Sequence, residues 1–164
     1  LGAIPEKNKL CSIFASPKRF ANGHKLRHNV IDTFKGKFPL DVFGRDYTYL
    51  EDKEDGLRNY KFSITIENNN TQRGYWTEKI VDCFATKTVP IYYGDKSVCD
   101  HFNCEGIIFF EDIDELSEIL NPEELERKFD VIKEKGILDE NYSKVKEYKI
   151  PEDWIYVNYP FLFN

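Results

Sequence analysis

The sequence has 164 residues, enough for one domain with a hydrophobic core, and its 41% hydrophobic and 32% charged residues are typical of a globular protein. A formal net charge of -6 argues against general affinity for DNA or RNA, which depends on clustered Lys and Arg. No apolar run approaches the roughly 18 residues that cross a bilayer, so we expect no membrane span in a single domain over residues 1–164.

Short apolar runs typical of strands alternate with helical patterns along the chain. The predicted strands are Leu10–Ala15, Leu40–Phe43, Tyr60–Ile66, Val89–Tyr93 and Ile107–Phe110. The predicted helices are His24–Phe34, Thr77–Thr86, the short Ser97–Phe102, Ile113–Leu120 and a helix from Pro122 that ends before Gly136. This order predicts an α/β, Rossmann-like fold, in which a parallel sheet carries helices on both faces.

Three segments do not follow this alternation. Asn22-Gly23 is interpreted as a turn before the predicted helix His24–Phe34. Asp46–Arg58 is rich in acidic residues, and we interpret it as a solvated loop and the most mobile stretch of the domain. Residues from about 151 to 164 are rich in aromatics and proline, and we expect them to form a tail packed across the domain.

The cysteines and histidines do not have the spacing of a zinc site, so we expect no metal. Cys11 and Cys83 lie in apolar patterns typical of buried thiols. Cys99 and Cys104 could pair in an oxidising compartment, but we expect free thiols there too. His24 and His28 lie one helical turn apart without a nearby third ligand, which favours packing or solvated roles.

A polar loop follows the strand that ends at Ile66 and leads into the helix at Thr77. Open parallel sheets bind ligands at such strand ends, and the free N–H groups of a helix N-terminus favour phosphate. Lys79 lies in the first turn, where the helix dipole disfavours a cation, and this indicates a further role. The generic alternative stays open: Thr77 caps the helix, Glu78 suits its dipole and Lys79 is solvated.

Uncommon short motifs occur in a fixed order between Tyr60 and Gly94. They are Tyr60-Lys61-Phe62-Ser63, Glu67-Asn68, Tyr75-Trp76-Thr77-Glu78-Lys79, Val89-Pro90-Ile91 and Gly94. In these motifs the sequence resembles the α1,3-fucosyltransferase family. The resemblance implies the C-terminal, donor-binding half of a two-domain GT-B enzyme that transfers fucose from GDP-fucose to a hydroxyl of an acceptor glycan, with inversion. The acceptor domain normally precedes this half and supplies the general base, to which no residue here can be matched.

The same resemblance assigns roles to four residues of the loop and helix. Asn68 is similar to the family's donor-contacting asparagine, and Tyr75 to its donor-site tyrosine. Glu78 and Lys79 are similar to the glutamate and lysine around the sugar and the pyrophosphate. A lysine aimed at the leaving GDP would stabilise the transition state without a metal or another cofactor.

Further residues complete the expected site. Arg27, in Leu26-Arg27-His28-Asn29, is similar to the family's arginine that meets phosphate, and we expect it to act with Lys79 and Glu78 in catalysis. Thr77 and Glu67 are expected to contribute to donor binding, although a structural role that orients the Asn68 loop is favoured for Glu67.

The strand Val89–Tyr93 ends in two tyrosines and is followed by a glycine. Tyr92 and Tyr93 are expected to point to opposite faces of the sheet, with at least one in the core. Gly94 would be explained by a left-handed turn or by close approach of a ligand.

Two alternative functions remain: a nucleotide-sugar-binding module without transfer activity, and a transferase of the same fold that uses another donor such as GDP-mannose. The absence of an anchor and of many disulfides favours the cytoplasm over the Golgi lumen as the compartment.

Overall fold

A computed structural model describes residues 5–147 and contains one five-stranded sheet. Its strands are β1 (Lys9–Phe14), β2 (Leu40–Phe43), β3 (Tyr60–Ile66), β4 (Val89–Tyr93) and β5 (Ile108–Phe109). The order is β2-β1-β3-β4-β5, and every neighbouring pair is parallel. The predicted parallel sheet is confirmed, and β2, β3 and β4 have the predicted bounds.

In the described part of the chain, five α-helices accompany the sheet. They are α1 (Asn22–Phe34), α2 (Glu78–Ala85), α3 (Ile113–Ile119), α4 (Pro122–Glu134) and α5 (Ile137–Glu147). Short 3-10 turns occur at Lys53–Gly56, Lys96–Asp100 and Cys104–Gly106, so the predicted helix Ser97–Phe102 is a 3-10 turn. Within residues 5–147, no helix is both long and apolar enough to span a bilayer.

The helices cover both faces of the sheet, as predicted, because strand side chains alternate between the faces. On one face Ile13, Ile64 and Ile91 belong to a core shared with α1, α3 and α4. On the other face Tyr92 belongs to a second core shared with α2 and α5. Tyr93 packs against the first core, so the two adjacent tyrosines do point to opposite faces.

The helix α5 was not predicted from the sequence. Its buried positions Ile137, Asn141 and Val145 follow a four-residue spacing, and a polar residue in the middle hides the apolar period. Asn141 is buried because its side chain bonds both backbone groups of Asn103, accepting from N at 2.8 Å and donating to O at 3.0 Å. Gly136, with φ of 73°, separates α5 from α4, so the prediction that α4 ends before this glycine is confirmed.

Two other expectations need correction. The segment Asp46–Arg58 is not solvated throughout, because Leu57 is buried and Gly56 lies against the side chains of Phe14, Leu50 and Phe43. Cys99 and Cys104 form a disulfide rather than free thiols, while Cys11 and Cys83 are buried free cysteines, as expected. The predicted tail of about 151–164 lies outside the described residues.

Candidate functional site

The topology opens a cleft beside the carboxyl ends of β1 and β3. The helix after β1, α1, leads to β2, whereas the helix after β3, α2, leads to β4 in the opposite direction. Adjacent parallel strands whose connections diverge leave a crevice outside their carboxyl ends, and α/β proteins bind ligands in such crevices. Arg27 on α1 and Lys79 on α2 therefore reach this crevice from opposite faces of the sheet.

A cavity of about 740 Å³ lies at this point and extends over β1 and β3 towards the loop after β2. Four of the residues proposed from the sequence line it, namely Arg27, Asn68, Glu78 and Lys79. Lys18 and His24 also line it, and they were not among the proposed site residues. The other three, Glu67, Tyr75 and Thr77, are not part of the cavity wall.

Arg27 as a whole residue is 7% exposed, and two of its side-chain nitrogens donate to the backbone and to Asn68. Nε donates to the carbonyl of Ile66 at 3.2 Å, and Nη2 donates to the same carbonyl and to Asn68 Oδ1, the latter at 2.8 Å. Among residues 5–147 no hydrogen bond uses Nη1, so its two N–H groups remain for a ligand. Burial lowers the pKa of Arg27, and the Glu67 carboxylate opposes that shift.

Gly23 allows this close contact between α1 and the end of β3. A Cβ on Gly23 would lie 1.9 Å from the carbonyl oxygen of Glu67, so no other residue fits without moving the backbone. The N–H of Gly23 also donates to the carbonyl of Asn68 at 3.3 Å. The sequence indicated a turn at Asn22-Gly23, whereas α1 already begins at Asn22. In the sequence, Gly23 itself was a signal that α1 approaches the backbone at the end of β3 closely.

Glu67 is a fully buried carboxylate surrounded by hydrogen-bond donors. Its Oε1 accepts from the backbone N–H of Thr77 at 3.0 Å and from the Tyr92 hydroxyl at 3.2 Å. Its Oε2 accepts from Thr77 Oγ1 at 2.9 Å and from Lys79 Nζ at 3.2 Å. A charge without contact to water requires such partners, so the geometry favours the orienting role for Glu67 over direct donor contact.

Lys79 forms the boundary between this buried group and the cavity. Its Nζ donates to Thr77 Oγ1 at 2.9 Å and to Glu67 at 3.2 Å, and lies 3.7 Å from Glu78 Oε1. The Lys79 side chain is 24% exposed, whereas that of Glu78 is 66% exposed and free to meet polar hydroxyls of a ligand. Thr77 is the N-cap of α2, which is the generic role that the sequence left open, and its Oγ1 accepts from the N–H of Lys79.

The loop between Glu67 and Thr77 is anchored at its far end. Gly74 has φ of 80°, and its N–H donates to Asp95 Oδ2 and, at 3.1 Å, to Ser97 Oγ. The Ser97 hydroxyl also donates to Asp95 Oδ2, and this bond, together with the smaller effect of the Gly74 N–H, lowers the pKa of Asp95. Tyr75, the expected donor-site tyrosine, is half-buried next to this anchor and outside the cavity wall.

Two histidines and one thiol near the site have roles that their surroundings explain. His28 bonds the Tyr47 hydroxyl through Nδ1 and the Ser16 carbonyl through Nε2, which is a packing role. His24 Nδ1 accepts from the N–H of Ala21, and burial lowers the pKa of this histidine. Burial also raises the pKa of Cys83 to about 11, so this cavity-lining thiol stays protonated. No cluster of three metal-ligating side chains occurs in the described part of the chain.

A family model and a curated relative both match this sequence. The model of glycosyltransferase family 10 (fucosyltransferase), C-terminal region, matches residues 4–128. The chain is 35% identical over 72 residues to the alpha-(1,3)-fucosyltransferase of Helicobacter pylori, a match that covers 44% of this chain and 15% of that protein.

Solved structures agree with this match. A crystal structure of an alpha1,3-fucosyltransferase has a TM-score of 0.60 and 26% identity, covering 83% of this chain and 38% of that one. The corresponding structure with GDP-fucose has a TM-score of 0.55 at 26% identity, covering 83% of this chain and 39% of that one. The chain thus spans less than half the length of these relatives. Because the family model covers most of the sequence, the chain belongs to glycosyltransferase family 10, the fucosyltransferases, and contains the C-terminal region that this model describes.

Proposed function

We propose that this chain binds GDP-fucose and is the donor-binding domain of an inverting α1,3-type fucosyltransferase. The observation that carries the proposal is the convergence of Arg27 and Lys79, from opposite faces of the sheet, on one cavity at the crevice between β1 and β3. Membership of the fucosyltransferase family supports fucose as the transferred sugar, and a similar solved enzyme binds GDP-fucose.

The two cations suit a diphosphate leaving group. Transfer of fucose to an acceptor hydroxyl develops negative charge on the departing GDP, and cations near that charge stabilise the transition state more than the ground state. Arg27 would donate through Nη1, because its other nitrogens already hold Ile66 and Asn68. Lys79 would donate from the cavity wall. The proposal therefore assigns the charge of the leaving group to side chains and invokes no metal.

Other proposed site residues would orient the donor. Glu78 would accept hydrogen bonds from sugar or ribose hydroxyls, because its carboxylate is mostly exposed next to Lys79. Asn68 lines the cavity with its amide oxygen held by Arg27, so its amide NH₂ remains to donate. Tyr75 is outside the cavity wall, and a donor contact from this tyrosine rests on the family resemblance alone. The acceptor glycan and the general base are assigned to a part of the enzyme outside this chain.

Titration calorimetry of this chain with GDP, GDP-fucose, GDP-mannose and a UDP sugar tests the proposal. We expect GDP and GDP-fucose to bind and the UDP sugar to bind far more weakly. Tighter binding of GDP-mannose than of GDP-fucose would favour the alternative donor. Failure of both GDP and GDP-fucose to bind would refute the proposal. Binding without any fucose transfer by an enzyme that also contains the acceptor-binding part would favour the binding-module alternative.

We also propose a cellular compartment for the protein. The sequence favoured the cytoplasm, but the Cys99–Cys104 disulfide favours an oxidising compartment such as the Golgi lumen, because cytosolic thiols are kept reduced. Alkylation of the protein in lysed source cells before reduction, followed by mass spectrometry, distinguishes the two. Blocked Cys99 and Cys104 would indicate the cytoplasm, and unlabelled cysteines at these positions would indicate the lumen.

A further inference from the structure

The Glu67 carboxylate receives one hydrogen bond from a different strand. Tyr92 lies on β4 and pairs with Thr65 of β3 in the sheet register, and the N–H of Glu67 donates to the carbonyl of Tyr93 at 2.9 Å. The Tyr92 side chain is fully buried, and its hydroxyl donates to Glu67 Oε1 at 3.2 Å. Burial, together with the Glu67 charge, raises the pKa of Tyr92 far above its usual value, so the hydroxyl remains a donor.

Gly94 provides the space for the Tyr92 ring. A Cβ at Gly94 would lie 2.3 Å from Tyr92 Cζ and 2.4 Å from its hydroxyl oxygen. Gly94 does not have a positive φ, so the left-handed turn considered from the sequence does not explain why a glycine is present here. Nor does close approach of a ligand, because Gly94 is not part of the cavity wall. The glycine is needed because the tyrosine ring crosses over it.

We propose that Glu67, Tyr92 and Gly94 are positioning residues for Lys79: they hold its ammonium group at the cavity wall in the orientation that receives a diphosphate. This inference rests on the proposed function, because it concerns the same site. None of the three residues lines the cavity, so each acts through Lys79 and not by contact with the ligand.

The contacts show how each of these residues helps to position Lys79. Gly94 leaves room for the ring, and the Tyr92 hydroxyl and the Thr77 N–H both donate to Oε1 of Glu67. This fixes the plane of the carboxylate and directs Oε2 towards Lys79 Nζ. A free lysine side chain has many rotamers, and ordering them on ligand binding weakens affinity. Here the ordering occurs when the domain folds, so the ligand meets a cation already in place.

Replacing Tyr92 with phenylalanine tests the first step, because Tyr92→Phe removes the hydroxyl and keeps the ring. We expect GDP to bind about threefold to tenfold more weakly, the usual effect of losing one buried hydrogen bond. Tyr93→Phe is the matched control, because Tyr93 is the next residue of β4 and points to the other face. We expect the control to bind GDP like the parent chain. Urea unfolding of each variant checks that it is folded.

A double-mutant cycle distinguishes positioning from a general structural role. In a Lys79→Met background, Tyr92→Phe has no cation left to position, so we expect it to change GDP affinity less than about twofold. The same loss in both backgrounds would overturn the proposal. Gly94→Ala, which pushes the ring away from Glu67, should reproduce the Tyr92→Phe loss and the same dependence on Lys79.

The outcomes also separate this proposal from the proposed function. If the parent chain binds GDP and Lys79→Met weakens binding, while Tyr92→Phe binds as tightly as the parent, the positioning role fails and the donor site stands. If the parent chain binds no GDP, both proposals fail together.

Discussion

Two partly buried lysines lie at opposite ends of the sheet and have different kinds of partner. Lys79, at the carboxyl end, pairs with the carboxylates of Glu67 and Glu78 and lines the cavity. Lys7 lies just before β1, at the amino end, and its Nζ donates to Thr88 Oγ1 at 3.0 Å and to the carbonyl of Arg58 at 3.0 Å. Within residues 5–147, no carboxylate forms an ion pair with Lys7.

The difference indicates which of the two lysines is suited to binding a ligand. Neutral oxygens satisfy the Lys7 donors without offsetting its charge, so burial lowers its pKa to about 7. Lys79 has a buried carboxylate as its counter-ion and an open cavity beside it. We therefore interpret Lys7 as a group that closes the amino end of the sheet, and Lys79 as a charge presented to a ligand.

The largest expected effect is on ligand binding at the carboxyl end. Lys79→Ala should weaken GDP binding by about 1 to 3 kcal/mol, because a charge-assisted hydrogen bond to phosphate is lost. Calorimetry measures this, with Lys7→Met as the matched control at the other end of the sheet. Equal GDP affinity of Lys79→Ala and the parent would remove Lys79 from the site, and a comparable loss in Lys7→Met would erase the distinction between the two lysines.

A smaller effect is expected in the pH dependence of stability at the amino end. The pKa of Lys7 is lowered to about 7, so between pH 7 and its ordinary pKa the unfolded chain binds more protons than the folded one. The free energy of unfolding should therefore rise with pH across this range, by roughly 1 kcal/mol per pH unit from this group.

Urea unfolding of the parent and of Lys7→Met at pH 7.5 and about pH 9 measures the contribution as a difference in slope. The parent should gain stability relative to the variant as the pH rises. If the free energy of unfolding changed equally with pH in the two proteins, Lys7 would remain charged in the folded chain. Burial would then not distinguish the charge state of Lys7 from that of Lys79.

The smallest expected effect concerns Glu78, the exposed partner of Lys79. Glu78→Gln should change the free energy of unfolding by less than about 0.5 kcal/mol, since surface substitutions rarely cost more. GDP-fucose affinity should fall by about 0.5 to 1.5 kcal/mol if the carboxylate accepts from a sugar or ribose hydroxyl. Calorimetry with GDP-fucose, and transfer assays in an enzyme that contains the acceptor part, check this. A variant as active as the parent would remove Glu78 from the site.

The sheet and the helix α2 could be predicted because their signals are local. Tyr60–Ile66 and Val89–Tyr93 are apolar runs of strand length, and Thr77 is a good N-cap residue directly before an amphipathic helix. The helix α5 was missed because Asn141 interrupts its apolar stripe, and the bonds to Asn103 that make this burial favourable come from a distant part of the chain.

The candidate site could be predicted only in part. The sequence motifs indicated Arg27, Asn68, Glu78 and Lys79, and all four line one cavity. The sequence could not show that Glu67 lies behind this wall, because its burial depends on a tyrosine from the neighbouring strand.

Local pattern and motif chemistry were thus sufficient for the order of the five strands and of α1 to α4 along the chain, and for the family. Side-chain periodicity and helix capping act over a few residues, and a sequence displays them directly. The roles of Glu67, Tyr92, Gly23 and Gly94 depended on the packed structure. Each role is defined by a contact between elements far apart in the chain, and the register of β3 against β4 and the approach of α1 to the end of β3 exist only once the domain has folded.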